Sequence, residues 1–446
     1  MNRHGIALGI AAAALAGAAG APAQPARTGP APAASPAPAA GEAVVAELRR
    51  VLAANYVLPE VRPKLDSALG RGLAAGRYAT TDPAVLVERV NADLAAVTKD
   101  KHLGLHYDPR QAAEIAAAPQ GQAEDGPPTP GQIRQARLRN HGFVEMKVLP
   151  GNVRYVDLQG FVWVGPESAA AYDNAMRFLA GGDAAIVDLR KNGGGSPEAV
   201  QYLVSHFMEP NRPLVTFHMG ATQVDRLATL AELPAGRMVG KPLYVLTSGH
   251  TASAAEEFAG HVAGYRLGEL IGETTAGAGF RNSFFALPGG YVVSVSVGRA
   301  VLASTGKDWE GVGIPPATAV EEGKALQVAQ AQALRRLAAA APAPEKARLE
   351  ARATLLAAQV EPVATALPLA AYAGTYGERK VWVEEGRLAF QREGGPKFRL
   401  VAIGPNQFAF EEDPATRLEY RTAGGAATGF DLIRGDGSRV AADRTS

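Results

Sequence analysis

From Glu42 to Asp108 the apolar residues recur at helical spacing. In "AVVAELRRVLAANYV" Val44, Leu48, Val51 and Leu52 fall on one face. "DPAVLVERVNADLAAVT" repeats the pattern, with Asp82 as N-cap and Pro83 at the first helical position. Residues 109–135 are polar and rich in Gly and Pro, which reads as a flexible connector. The period then changes. "GFVEMKVLPGNVRYVDLQGF" predicts two strands around a Pro-Gly-Asn turn, and "AAIVDLR" and "KPLYVLTS" are short apolar runs suited to buried strands. "SAAAYDNAMRFLAG", "SPEAVQYLVSHFM" and "SAAEEFAGHVAGY" predict helices interleaved with them. Strands alternating with helices make a mostly parallel sheet covered on both faces. The strands "GELIGETT" and "SFFALPGGYVVSVSVGRAVL" and a loop to Pro316 complete this unit.

The helical stretch "GKALQVAQAQALRRLAAAA" follows, and after it "KVWVEEGRLAFQRE", "FRLVAIGPNQFAFEED" and "RLEYRTAGGAATGFDLIR" alternate by twos. The expected fold class is α/β. The expected organisation is an N-terminal helical subdomain (42–108), the connector (109–135), a core domain (136–325), a helical connector (326–362) and a small antiparallel β domain (363–446).

The first residues, "MNRHGIALGIAAAALAGAAGAPAQPA", carry one Arg, an apolar run and then small residues. That is the form of a secretory signal peptide, residues 1–23, with cleavage after Ala21 or Ala23 and a periplasmic or extracellular destination. Residues 24–41 form a Pro/Ala-rich linker that cannot build a core. The formal net charge of +1, with acids and bases interspersed, provides no footprint for nucleic acid or an anionic membrane. The absence of cysteine excludes disulfides, thiolate metal sites and a cysteine nucleophile.

Two strand ends carry the candidate chemistry, because ligands of α/β sheets bind at the carboxyl ends of strands. One is Asn192-Gly193-Gly194-Gly195, whose glycines allow backbone N–H groups to approach an anion or a carbonyl oxygen closely. A tight strand-to-helix turn would look the same. The other is "TSGHTAS", where Ser248, Thr251 and Ser253 could each be a nucleophile or the cap of the next helix. A serine needs a base. His102, in "KDKHLGLHYDP", lies where the helical unit gives way to extended chain, and His250 ranks second. His106 lies four residues beyond His102, but Gly104 and the Leu103/Leu105 alternation argue against a helical metal pair, and no third ligand suggests itself. Glu310, in "GKDWEGVGIPP", is either a carboxylate that orients the base or a solvated turn residue.

Taken together, "DLRKNGGGSPEAV", "LTSGHTASAAEEFA" with "IGETTAGAG", "TKDKHLGL" and "WEGVGIPP" resemble the C-terminal-processing, or tail-specific, serine protease family over residues 42–325. The resemblance implies a crotonase-type core of the ClpP kind, a polypeptide substrate, no cofactor or metal, and Ser253 as nucleophile. The Ser–Lys branch has a lysine where this chain has Ala278, and Lys307 lies on another segment, so the chain is more similar to the branch of the tricorn core protease and the retinoid-binding repeats. There His102 falls at the base position and Glu310 at the carboxylate, although Lys101 replaces a relay serine. The oxyanion donors implied are the backbone N–H groups of Gly194 or Gly195 and of Ala254. The stretch from His102 to Asp188 leaves no room for a PDZ domain. A homo-oligomer is open to such a chain. The rival reading, a non-catalytic apolar-ligand-binding or scaffold protein, needs none of these residues.

Overall fold

The computed structural model describes residues 41–117, 128–220 and 223–446. The expected signal peptide and linker lie outside the described residues, except Gly41, which begins the first helix. Three helices, Gly41–Asn55, Arg62–Ala74 and Pro83–Ala95, form the N-terminal unit. Asp82 caps the third by accepting the N–H groups of Ala84 and Val85. Their apolar faces close over Leu105, Tyr291, Val293 and Val295 of an antiparallel sheet.

The connector is more ordered than its composition suggests. Pro109–Ala117 and Pro130–Leu138 are helices, and residues 118–127 lie outside the described residues. Each helix is set by its cap: Gln111 N–H donates to Asp108, and Thr129 forms a capping box with Gln132.

The central sheet has six strands in the spatial order Thr318–Ala319, Glu269–Gly272, Leu243–Thr247, Ala184–Asp188, Val153–Leu158 and Phe143–Leu149. Every pairing is parallel except the last, a hairpin around the expected Pro-Gly-Asn turn. The two middle strands, Ala184–Asp188 and Leu243–Thr247, are buried throughout, as their unbroken apolar runs require. Helices Pro166–Ala180, Pro197–Ser205 and Ala254–Gly264 cover one face, and Ala325–Ala338 and Ala343–Val360 cover the other.

A second, antiparallel sheet joins Gly104–Tyr107, Tyr291–Leu302, Pro213–Met219 and Gln223–Ala228, with Phe280–Leu287 also paired to Tyr291–Leu302. Pairing of Gly104 with Ser294 fixes the chain just after His102 against the core domain. The C-terminal unit is an eight-stranded antiparallel meander filled with aromatic side chains. Its last residues return to its first strand, where Thr375 N–H donates to Ser446 and Thr445 N–H to Thr375. Among the described residues no helix is long and apolar enough to cross a membrane.

One buried ion pair anchors the strand end that leads to the glycine run. Asp188, 4% exposed, accepts from Arg190 through both carboxylate oxygens, at 2.9 and 2.6 Å, and from the Tyr155 hydroxyl at 2.7 Å. Arg190 also donates to the Glu322 carbonyl, which ties this strand end to the segment before the Ala325–Ala338 helix. Removing one partner would strand a buried charge. Asp188→Ala is therefore expected to lower unfolding free energy by about 3–5 kcal/mol, read from denaturant melts against the wild type.

Candidate active site

The two middle strands run in register, Asp188 beside Leu246, so their following loops leave the same edge of the sheet. Side chains stitch those loops together. Ser248 Oγ donates to the Arg190 carbonyl at 2.6 Å, Thr251 Oγ1 to the Leu189 carbonyl at 2.8 Å, and Ala252 N–H to the Asn192 carbonyl at 3.1 Å. Ser248 and Thr251 are fully buried. Thr247 Oγ1 likewise donates to the Glu273 carbonyl at 2.8 Å, so of the four hydroxyls in "TSGHTAS" three are spent on structure, and Ser253 is the one left at the cleft.

Ser253 stands at φ 55°, ψ −123°, immediately before the helix Ala254–Gly264. A non-glycine residue in that region carries of order 1–3 kcal/mol of strain, which persists only where the surroundings dictate it. The glycine run is one such surrounding. A Cβ on Gly194 (φ +109°) would lie 2.7 Å from Ser253 Cβ, so only glycine allows the two loops this contact. Gly194 N–H donates to Asn192 Oδ1 at 2.9 Å, while Asn192 donates to the Leu158 carbonyl. Of the two glycines expected as alternative donors, Gly194 has its N–H engaged within its own loop. Among the described residues the N–H groups of Gly195 and Ala254 have no acceptor in the chain.

The second surrounding is Glu256, which the sequence reading passed over. Its carboxylate is fully buried and accepts four hydrogen bonds: from Ser253 N–H (2.9 Å), Thr275 Oγ1 (2.6 Å), Gly277 N–H (2.6 Å) and Ala278 N–H (2.7 Å). The signal that could have found it is the S-x-x-E spacing of Ser253 and Glu256, a capping-box pattern. Ala278 is buried, and its carbonyl accepts from Trp309 Nε1, so the loop at that position is fixed by its backbone.

Glu310 holds the same loop from its other end. Its Oε2 accepts Gly279 N–H at 2.6 Å and Phe280 N–H at 3.1 Å. Burial raises its pKa to about 7, the nearby Asp100 and Glu256 charges add to the rise, and the two backbone donors oppose it.

His102 is largely enclosed. Burial lowers its pKa and the Asp100 charge opposes that shift. Its backbone N–H donates to Asp100 Oδ1 at 2.8 Å. Neighbouring Lys101 reaches the loop that Glu256 holds, donating from Nζ to the Ala276 carbonyl, and Ala276 N–H donates to the Thr251 carbonyl. The segment carrying His102 and the segment carrying Ser253 thus meet on one loop. No hydrogen bond among the described residues joins the His102 ring to Ser253 or to Glu310. His250 is exposed, and its backbone N–H rests on Ser248 Oγ. His106 is engaged with Gln111 and packs edge-on to Phe284. Among the described residues no group of three or more His, Asp or Glu side chains could hold a metal ion.

The raised Glu310 pKa has a consequence for stability. The folded chain holds this proton up to about pH 7, whereas the unfolded chain releases it near the ordinary glutamate value of 4.5. The contribution is full below that lower value and is lost as pH rises through about 7. Urea midpoints of the wild type are therefore expected to fall relative to those of Glu310→Gln between about pH 5 and pH 8.

Residues 152–320 match the model described as peptidase family S41, and residues 39–139 match that of the N-terminal domain of peptidase S41 in eukaryotic IRBP. A carboxyl-terminal-processing protease of Synechocystis sp. is 29% identical over 168 residues, which are 36% of this chain and 38% of that protein. The match thus spans well under half the length of the curated relative. Three solved structures are similar. The photosystem II D1 C-terminal processing protease is 17% identical, with 64% of this chain and 94% of that one covered and a TM-score of 0.40. A lipoprotein from Streptococcus agalactiae is 16% identical, with 64% and 93% covered and a TM-score of 0.44. The tricorn protease is 12% identical, with 63% and 34% covered and a TM-score of 0.40. With its core and its N-terminal unit both matched, the chain belongs to peptidase family S41.

Proposed function

We propose that the chain is an exported serine endopeptidase that hydrolyses polypeptides through Ser253 and His102. The observation that carries this reading is the state of Ser253. It is held in a strained backbone conformation at a sheet's carboxyl edge, against Gly194, while its neighbouring hydroxyls are buried in structural hydrogen bonds. Strain of this kind is retained where a side chain must be presented.

In the proposed cycle His102 Nε2 takes the Ser253 hydroxyl proton as Oγ attacks the peptide carbonyl. His102 then returns the proton to the leaving amine, and water repeats the sequence on the acyl-enzyme. Catalytic hydrogen bonds of this kind commonly tighten only when substrate occupies the site. Negative charge on the tetrahedral oxygen is met by the N–H groups of Gly195 and Ala254, the latter at a helix N-terminus, and each is worth about 2.7–4 kcal/mol of barrier. Glu256 and Glu310 fix the 275–280 loop beside the nucleophile. A Ser–Lys mechanism from the 278 position has no amine to use, since that residue is a buried alanine.

Hydrolysis of casein by the mature protein is the test. Ser253→Ala and His102→Ala are each expected to lose at least about 100-fold in rate, the lower end of a general base's contribution, with unchanged circular dichroism. Activity kept by His102→Ala and lost by Lys101→Ala would move the base to the lysine. A wild type inactive on casein and on other unfolded proteins, yet able to bind a labelled retinoid or fatty acid, would favour the ligand-binding reading.

A further inference from the structure

Two buried polar atoms close together in the chain have no partner: Nδ1 of His102 and Oδ2 of Asp100. Unpaired buried groups of this kind are costly and call for an explanation. Here one is a ring nitrogen that can carry a proton, and the other is a carboxylate oxygen that can only accept one. The Asp100 carboxylate is already turned toward His102, because its Oδ1 accepts the His102 backbone N–H at 2.8 Å. Asp100 is also the charge that acts on the His102 ring. The ring's Nε2 is not among the enclosed, unpaired atoms, so the buried edge of His102 is its Nδ1 edge.

Among the described residues no hydrogen bond joins Glu310 to the His102 ring, and its Oε2 is committed to Gly279 and Phe280. The remaining titratable group facing Asp100 is Tyr56, whose hydroxyl pairs with Thr98 at 3.3 Å.

We propose that Asp100, rather than Glu310, is the positioning residue of the base: its Oδ2 accepts the Nδ1 proton of His102 and holds the ring as the Nδ1–H tautomer, with Nε2 free to face Ser253. The structure leaves the two atoms unbonded, and a turn of the His102 ring toward Asp100 would satisfy both with one bond. It also places the base and the carboxylate that directs it on a single short segment, Asp100-Lys101-His102. The catalytic meaning of this pairing rests on the reading of His102 as the general base, but the pairing itself is measured without any activity.

The test uses the full chain labelled with 15N-histidine, with His102→Gln to assign the His102 signals, at a pH where the ring is neutral. The wild type is expected to show His102 as the Nδ1–H tautomer. In Asp100→Asn the side-chain carbonyl can keep the backbone bond, which leaves an amide donor facing Nδ1, so the ring is expected to switch to Nε2–H. Glu310→Gln is expected to leave Nδ1–H in place. Casein hydrolysis by Asp100→Asn is expected to fall in kcat/KM by about 10⁴-fold, the size of a wrong-tautomer defect. An Nε2–H ring in the wild type would overturn the proposal even if Asp100→Asn failed to fold. So would an unchanged tautomer in Asp100→Asn, or a switch in Glu310→Gln instead. The Nδ1–H tautomer in the wild type and its switch in Asp100→Asn, found with a wild type that cleaves nothing, would uphold the pairing and sink the peptidase reading.

Discussion

The Glu256 carboxylate receives four hydrogen bonds from two different loops while fully buried, and the geometry around Ser253 follows from it. An isolated buried carboxylate is costly to keep, and it is tolerated where donors saturate it. Three of its donors belong to the 275–278 stretch and the fourth is the backbone of Ser253 itself, so the strained serine cannot relax without also releasing that loop. Strain at Ser253 and order in the loop are thus two aspects of one arrangement. Asn192 does for the glycine run what Glu256 does for the serine, with Oδ1 on Gly194 and Nδ2 on Leu158.

The proposed base comes from elsewhere in the chain. His102 belongs to the N-terminal helical unit, and its place depends on the pairing of Gly104–Tyr107 with Tyr291–Leu302 and on the apolar cluster that the helices form with that sheet. Three carboxylates, Asp100, Glu256 and Glu310, then gather around the cleft. Their mutual repulsion, added to burial, is what lifts Glu310 toward neutrality. The site therefore sits where two sheets meet, and neither half holds it alone.

Much of this was legible from residue pattern. The interleaved helices and apolar runs of 143–275 read as a mostly parallel sheet, because fully buried strands have no alternative to continuous apolar sequence. The strand that ends in hydroxyls marked the Ser253 region, and Gly104 with Leu103 and Leu105 marked the chain around His102 as extended. The hairpin of Pro213–Met219 and Gln223–Ala228 was not legible, since its second strand is largely exposed and its composition is that of a loop. The helices at Pro109 and Pro130 hid in a polar stretch because caps, not apolar stripes, set them. At the site, spacing can nominate Gly194 as a donor but cannot show that Asn192 has already taken its N–H. Nor can it show that Glu310 spends its oxygen on backbone, or that Ser248 and Thr251 are tied to the neighbouring strand end.

Ser253 is proposed to be the one hydroxyl among the described residues made nucleophilic by its surroundings. The most direct measurement is covalent labelling of the folded protein with a fluorophosphonate, followed by intact mass and peptide mapping. A single adduct is expected, on the peptide that carries Ser253, lost when the protein is unfolded before labelling. An adduct on Ser248 or on a serine outside the cleft, or no adduct in a protein that hydrolyses casein, would contradict it.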